Sequence, residues 1–222
     1  MTTRVGNTRD AFVRYLEQSL LAVNTSELQR VSIALYRLLG RGLPVTREQL
    51  AKACGCSQER IGQLLDQLPL TGLDLDASGA VKAFGGLSLE PTRHKFVAGE
   101  AELHTWCVFD ALFLPEILGK PARLETHCPA SGAELIVELS PGEVRAARPP
   151  DTVMSIVGPD REACCANLRK AFCDKVSLFK DSQAFKAWPH RPEDMGCVTL
   201  AEAQDFARRR NVLRYPDVQL GA

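Results

Sequence analysis

The chain has 222 residues, of which 45% are hydrophobic and 24% charged, a composition that excludes a disordered, collagenous or coiled-coil protein. Its 27 basic and 27 acidic residues give a formal net charge of zero, so it lacks the basic surplus with which proteins usually bind nucleic-acid phosphates. No apolar run reaches the roughly 18 residues that a membrane span requires, and the first residues lack the apolar core of a signal peptide. We therefore expect a cytoplasmic protein that does not enter the membrane.

The first part of the chain, residues 1–90, predicts a helical domain. Ser26 with Gln29 and Thr46 with Gln49 match the capping-box pattern that opens helices. Helices are predicted over residues 9–22, 26–40, 46–54 and 57–68, followed by a hairpin over residues 73–89. This order is the outline of a winged helix-turn-helix, so we expect a winged-helix-like unit.

DNA binding is the obvious hypothesis for such a unit, and its predicted recognition helix, residues 57–68, tests it. That helix carries Arg60 against Glu59 and Asp66, a net charge of −1. Recognition helices usually offer Arg or Lys to phosphates and guanine edges. The charge therefore favours a packing unit over a DNA-binding one.

The second part, residues 91–222, predicts an α+β domain with a mostly antiparallel sheet and flanking helices. Leu103, Trp106, Phe109 and Phe113 follow helical spacing, which predicts a helix over residues 102–112 that ends near Pro115 and Gly119. The other predicted elements are strands over 94–97, 144–157, 176–179 and 197–200, a hairpin over 122–139, and helices over 161–170 and 201–211.

Eight cysteines are many for a reducing compartment, where disulfides are rare, so soft-metal or thiol chemistry is the leading hypothesis. No CxxC pair occurs, which argues against a zinc ribbon or a thioredoxin-like motif. On a helix, Cys107 and Asp110 share a face and form a thiol–carboxyl pair. Taken alone, they are better explained as a buried cysteine and a helix-face charge than as a catalytic pair, and spacing does not show whether Cys173 approaches them. The remaining cysteines are interpreted as packing residues: Cys54, Cys56, Cys128, Cys164, Cys165 and Cys197.

Several segments together resemble the alkylmercury (organomercurial) lyases, over roughly residues 25–210. The combination of Trp106-Cys107 and Asp110 with a second Phe172-Cys173 pair is specific, although either alone is weak. The segments that carry the resemblance are Gly42–Thr46, Leu103–Gly119, His127–Gly132 and Phe172–Cys173.

The resemblance implies roles for four residues. Cys107 and Cys173 match the two catalytic, mercury-binding cysteines, and Asp110 matches the catalytic carboxylate beside the metal. Cys128 matches a cysteine that is structural. Asp174 departs from some relatives, which carry a further cysteine at that position. The neighbouring aromatic residues are then expected to form the substrate pocket: Trp106, Phe109, Phe113 and Phe172.

The implied activity is cleavage of a carbon–mercury bond by protonolysis, which yields a hydrocarbon and a thiol-bound mercuric ion in mercury detoxification. The reaction needs no organic cofactor, and the mercuric ion is a product to be passed to small thiols or a mercuric reductase. We expect a monomer or homodimer that binds neither nucleic acid nor membrane. Two alternatives are a winged-helix, soft-metal-sensing regulator and a non-catalytic mercury-binding protein.

Overall fold

The computed structural model describes residues 2–19, 25–68, 72–158 and 161–221. Its helices are α1 (Thr2–Ser19), α2 (Ser26–Leu39), α3 (Arg47–Cys54), α4 (Gln58–Leu65), α5 (Val108–Leu118), α6 (Arg161–Ala166), α7 (Leu168–Ala171), α8 (Ser182–Ala187) and α9 (Leu200–Arg214). Its strands are β1 (Leu73–Leu75), β2 (Val81–Phe84), β3 (Leu87–Ser88), β4 (Lys95–Ala98), β5 (Ala101–Thr105), β6 (Ala122–His127), β7 (Glu134–Ser140), β8 (Glu143–Arg148), β9 (Val153–Ile156), β10 (Leu178–Phe179) and β11 (Gly196–Thr199). In these ranges no helix combines the length and the apolarity of a membrane span.

The strands form two sheets in which every pairing is antiparallel. The larger sheet has eight strands in the order β1-β2-β3-β5-β4-β6-β7-β8, and the smaller has the order β10-β9-β11. The predicted α+β class with a mostly antiparallel sheet is therefore confirmed. Leu87 of β3 pairs with Thr105 of β5, so the large sheet continues across residue 90. The division into domains 1–90 and 91–222 stays a prediction.

The helix starts of the N-terminal region follow from their caps, with one correction. The capping box of Thr46 and Gln49 is present at α3, as predicted. Helix α2 is capped by Thr25 rather than Ser26, because the Thr25 hydroxyl accepts the Leu28 amide while the Ser26 hydroxyl donates to Asp217.

The predicted bounds of the first and fourth helices also change. Helix α1 begins at Thr2 instead of residue 9, and Leu20 and Leu21, near its predicted end, lie outside the described residues. Helix α4 ends at Leu65 rather than Leu68. The hairpin predicted over residues 73–89 is divided into β1, β2 and β3, because Gly85 and Gly86 make a turn within its second half.

The helix predicted over residues 102–112 is wrong in its first half. Residues 101–105 form β5, which pairs with both β3 and β4, and Leu103 and Thr105 point into the core. Pairing with two neighbouring strands overrides the local helical spacing, since strand preference depends on its partners. Helix α5 starts only at Val108, continues through Pro115 and ends at Gly119 in a left-handed conformation.

The later helices and strands keep the predicted order, with two differences. The helix predicted over residues 161–170 is interrupted at Asn167, whose side chain accepts the Lys170 amide and caps α7. Helix α8 was not predicted; Asp181 caps it by accepting the Ala184 amide.

Helix α5 lies at the centre of the molecule and is attached to α9 by polar side chains. Ten of its eleven residues are buried. The Gln204 side chain donates to the Leu112 carbonyl at 3.3 Å, and the Asn211 amide donates to the Phe113 carbonyl at 3.0 Å and to Glu116 at 2.8 Å. Helix α9 therefore fixes the position of α5 and of the side chains at the N-terminus of α5.

We predict that Asn211→Ala lowers the free energy of unfolding by about 2 kcal/mol, because three side-chain hydrogen bonds are lost, one of them fully buried and two to the charged groups of Glu116 and Arg210. Guanidinium denaturation of the folded variant measures the effect. Val212→Ala is the control, since Val212 is adjacent on α9 and 69% exposed, and its effect should stay within about 0.5 kcal/mol. Equal effects of the two substitutions would contradict the attachment of α5 through Asn211.

Candidate functional site

Cys107 and Asp110 meet at the N-terminus of α5. Cys107 is the N-cap residue, with an extended backbone (φ −144°, ψ 173°), and Asp110 is the third helical residue. An oxygen of the Asp110 carboxylate accepts the Cys107 amide at 2.9 Å. Cys107 and Asp110 therefore lie together, as predicted. They are joined by a helix cap, however, and do not share a helix face.

Cys173 comes from a distant part of the chain and completes the cluster. It opens a single 3₁₀ turn, Cys173–Lys175, directly after α7. One ligand atom each from Cys107, Asp110 and Cys173 lies within 4.8 Å of the others, the only such group of metal-binding side chains among the described residues. The three residues are 0%, 7% and 2% exposed, respectively, so the cluster is closed to bulk water.

Burial controls the protonation of the cluster. Burial raises the pKa of the Cys107 thiol well above its usual value, and the neighbouring Cys173 thiol and Asp110 carboxyl raise it further. Burial also raises the pKa of Asp110 to about 6, although hydrogen bonds from the Cys107 amide and thiol and the charges of Arg210 and Arg169 oppose the increase. A carboxyl with this pKa can both accept and donate a proton near neutral pH.

Aromatic residues next to the cluster residues in the chain pack against one another and against rings from other helices. Phe109 and Phe172 are in edge-to-face contact at 6.1 Å between ring centroids, and Phe12 of α1 contacts both, at 5.4 Å and 5.7 Å. Phe206 of α9 also packs on Phe12 at 5.3 Å. The predicted apolar surroundings of Phe109 and Phe172 are thus present, but α1 and α9 contribute rings that sequence reasoning did not assign to the site.

Trp106 links the two segments that carry the thiols. The guanidinium carbon of Arg169 lies 3.8 Å from the centre of the Trp106 ring, and Arg169 also forms an ion pair with Asp74 of β1. Trp106 precedes Cys107, and Arg169 lies on α7 just before Cys173. This cation–π contact therefore holds the α7 segment against the start of α5.

A turn of two glycines presses against Asp110 from the side of the large sheet. Gly85 and Gly86 connect β2 to β3 with positive φ angles of 50° and 103°. The Gly86 carbonyl accepts the Trp106 amide at 2.9 Å, and the Gly85 carbonyl accepts the Tyr36 hydroxyl at 2.8 Å. Sequence reasoning missed this turn, although a Gly-Gly dipeptide between two apolar runs is a signal for one.

None of the other cysteines whose side chains are described belongs to the cluster. Cys54 and Cys56 are half-buried on either side of the Gly55 turn, Cys164 is buried and Cys197 is half-buried; the side chain of Cys165 lies outside the described residues.

Cys128 is buried in the turn between β6 and β7. Its carbonyl accepts the Gly132 amide and its amide donates to the Ala133 carbonyl, both at 2.8 Å. Although burial raises the pKa of the Cys128 thiol, hydrogen bonds from Ser131 and from neighbouring amides outweigh it and leave the pKa lowered.

Comparisons with known proteins agree on one family. A family model described as alkylmercury lyase matches residues 87–210. The chain is 34% identical to the alkylmercury lyase of Streptomyces lividans over 174 residues, 78% of each chain, and 32% identical to that of Pseudomonas putida over 178 residues, 80% of this chain and 81% of the relative. The crystal structure of the mercury-bound form of MerB2 has the same fold, with a TM-score of 0.74 over 91% of this chain and 98% of that one, at 19% identity.

The raised pKa of Asp110 predicts a specific dependence of stability on pH. Because the folded state binds this proton more tightly than the unfolded state, the stability contributed by Asp110 is fully present below the ordinary carboxyl pKa of 3.8 and is lost as the pH rises through 6. The free energy of unfolding of the wild type should therefore fall by roughly 3 kcal/mol relative to that of Asp110→Asn between about pH 3 and about pH 7. Urea titrations of both proteins across this range measure the difference.

The comparison with Asp110→Asn removes a competing contribution from His94. Burial and the Arg93 charge lower the pKa of His94 to about 3, so His94 acts over the same pH range with the opposite sign and equally in both proteins. The charged and titratable groups that influence Asp110 are also retained in the variant: Cys107, Arg169 and Arg210. A pH-independent difference would contradict a raised pKa at Asp110.

Proposed function

The chain belongs to the alkylmercury lyase family, and from this premise we propose that Cys107, Asp110 and Cys173 carry out the carbon–mercury cleavage of this enzyme. The observation that carries the proposal is the buried cluster itself: two sulfurs and one carboxylate within 4.8 Å. Mercury is a soft ion that prefers sulfur to oxygen or nitrogen, by the same logic that sorts other metals among their ligands. A carboxyl adjacent to two thiols adds the proton carrier that simple mercury binding does not need.

In the first step the substrate, an organomercurial held by a small thiolate, exchanges that thiolate for Cys107. The Cys107 sulfur forms a bond to mercury, the small thiolate leaves, and the Cys107 proton leaves with it. Because burial raises the Cys107 pKa, this thiol is protonated before substrate arrives and needs an acceptor for its proton. The result is a linear carbon–mercury–sulfur adduct.

In the second step Asp110 transfers a proton from sulfur to carbon. The Cys173 thiol gives its proton to the Asp110 carboxylate and binds mercury as a thiolate, which increases the electron density on the departing carbon. The protonated Asp110 then donates to that carbon as the carbon–mercury bond breaks. Asp110 returns to its carboxylate form, the hydrocarbon leaves, and mercuric ion remains between the two sulfurs. A pKa of about 6 suits both halves of this transfer.

The aromatic rings form the proposed substrate pocket. Trp106, Phe109 and Phe172 are buried and adjoin the cluster residues in the chain, and we propose that their apolar surface suits a hydrocarbon group and excludes the water that would compete for mercury and for the proton. The chemistry as written uses only side chains of the chain, and we propose that it requires no organic cofactor.

We further propose a cytoplasmic enzyme, monomeric or homodimeric, that passes mercuric ion to small thiols or to a mercuric reductase. Removal by thiols suits a product held by two sulfurs, because thiol exchange at mercury replaces one sulfur ligand with another. Cys128 is proposed to be structural, since its backbone closes the turn between β6 and β7.

We propose that the N-terminal helices and the β1–β2 hairpin form a winged-helix-like packing unit and not a DNA-binding one. Arg60, the one basic residue of the predicted recognition helix, is paired with Glu27 of α2 at 2.5 Å and is not free for phosphate. Helix α2 packs instead toward α5, where the Arg37 side chain donates to the Ile117 carbonyl at 3.2 Å. This arrangement argues against a metal-sensing regulator.

Substitution of the cluster should separate mercury binding from proton transfer. Cys107→Ala should abolish cleavage and Cys173→Ala should nearly do so, because one sulfur cannot both anchor and activate the substrate. Asp110→Ala should still bind organomercurial but lose about 10²–10⁴-fold in rate. Hydrocarbon release under excess thiol and mercury retained on the desalted protein are the two measurements.

Single replacement of a cysteine outside the cluster is the matched control and should change turnover by no more than a few-fold. These cysteines are Cys54, Cys56, Cys164, Cys165 and Cys197. Normal turnover by Asp110→Ala would show that the proton comes from elsewhere. An active Cys173→Ala beside an inactive Cys165→Ala would move the second sulfur to Cys165.

Cys128→Ser should lower stability more than the rate per folded molecule, because the shorter serine side chain does not reach the donors that now hydrogen-bond to the larger sulfur and leaves them unsatisfied. We expect a loss of about 1–3 kcal/mol in the free energy of unfolding. Cys197→Ser, at a half-buried position, should cost less. A Cys128→Ser protein that keeps its melting temperature and yet loses all turnover would place Cys128 in the catalytic group.

A further inference from the structure

The Gly85–Gly86 turn joins the N-terminal helices to the two residues that begin the reaction site. On one side the Tyr36 hydroxyl of α2 donates to the Gly85 carbonyl at 2.8 Å. On the other side the Trp106 amide donates to the Gly86 carbonyl at 2.9 Å, one residue before Cys107. The turn therefore connects the backbone next to Cys107 to helix α2.

Gly86 also contacts the carboxyl of Asp110 directly. A Cβ atom at position 86 would lie 2.6 Å from Oδ1 and 2.8 Å from Cβ of Asp110, distances that real side chains essentially never show. Since the other carboxylate oxygen of Asp110 accepts the Cys107 amide, the carboxyl is held between the helix N-terminus and the glycine backbone. This contact restricts the Asp110 side chain to one orientation and keeps water from that face.

Tyr36 supports the conformation of the turn. It is 1% exposed, and its ring packs against Phe84 with 4.7 Å between centroids. A Cβ at Gly85 would overlap the Tyr36 hydroxyl and lie 3.0 Å from the ring carbon that bears it, so only glycine fits there. The positive φ angles of Gly85 and Gly86 favour glycine for the same positions.

We propose that Gly86 is a positioning residue for the protonolysis step, holding the Asp110 carboxyl against the reacting carbon, and that Tyr36 maintains Gly86 in place. The inference rests on the proposed role of Asp110. The match to the family model begins at residue 87, just after this turn. The N-terminal helices thereby acquire a part in catalysis without contacting substrate.

Gly86→Ala tests the proposal in single-turnover experiments with methylmercury. Methylmercury should still bind with one equivalent per protein, because both thiols remain, while methane release should slow on the order of 10²-fold. Gly79→Ala is the matched control: Gly79 has a similar φ of 82° in the β1–β2 turn, but nothing lies within 4 Å of its added Cβ. Gly79→Ala should release methane within a few-fold of the wild-type rate.

Combination with Asp110→Ala distinguishes positioning from general damage. If Gly86 acts through Asp110, the double variant Gly86→Ala/Asp110→Ala should be no slower than Asp110→Ala alone. Losses that multiply would overturn the proposal, as would a Gly86→Ala protein with the wild-type rate. A normal rate for Asp110→Ala itself would instead overturn the proposed role of Asp110, so the two failures are distinguishable.

Tyr36→Phe gives the same test without added volume. It removes the hydroxyl that bonds to the Gly85 carbonyl and to Arg210 and keeps the ring on Phe84. Since Arg210 also acts on Asp110 by its charge, the variant should slow methane release several-fold in the wild-type background and not at all in the Asp110→Ala background. If Gly86→Ala does not fold, the rates of Tyr36→Phe in these two backgrounds test the proposal instead. An equal slowing in both backgrounds would overturn the role of Tyr36 and the turn.

Discussion

The removal of the Asp110 carboxyl from water, beside two thiols, is the constraint on which the rest of the site depends. A carboxyl exposed to solvent has a pKa of about 3.9 and would be a poor acceptor for the proton of a thiol. Burial at the start of α5 raises the pKa of Asp110 to about 6. The hydrogen bond from the Cys107 amide opposes this increase, because it stabilises the ionised carboxylate. The aromatic rings contribute to this burial, and the fixed position of α5 keeps the Cys107 amide beside the carboxyl.

Burying such a cluster requires structure from the whole chain. Cys107 and Asp110 stand at one helix terminus, but Cys173 arrives from a turn more than sixty residues later, and α1 adds Phe12 from the opposite end of the sequence. Helix α9 fixes α5 through Gln204 and Asn211. The site is therefore a product of tertiary packing.

Structural features that depend on neighbouring residues could be predicted from the sequence. Features that depend on contacts with residues far along the chain could not. Caps such as Thr46–Gln49 and the β6–β7 hairpin follow from neighbouring residues, and they were predicted correctly. Residues 101–105 carry helical spacing by coincidence and become a strand because β3 and β4 lie beside them. Helix α5, buried nearly all round, has no polar face from which its start could be located. Spacing also placed Cys107 and Asp110 together, but the approach of Cys173 came from family resemblance alone.

The most direct test of the account is the fate of methylmercury in the reduced wild-type protein, with stoichiometric substrate in D₂O. Proton transfer through Asp110 and the thiols, all of which exchange with solvent, predicts one equivalent of singly deuterated methane in the headspace and one mercuric ion retained by the desalted protein. That ion should bridge the peptides that contain Cys107 and Cys173. Methylmercury recovered intact on the protein, with no methane released, would contradict the account.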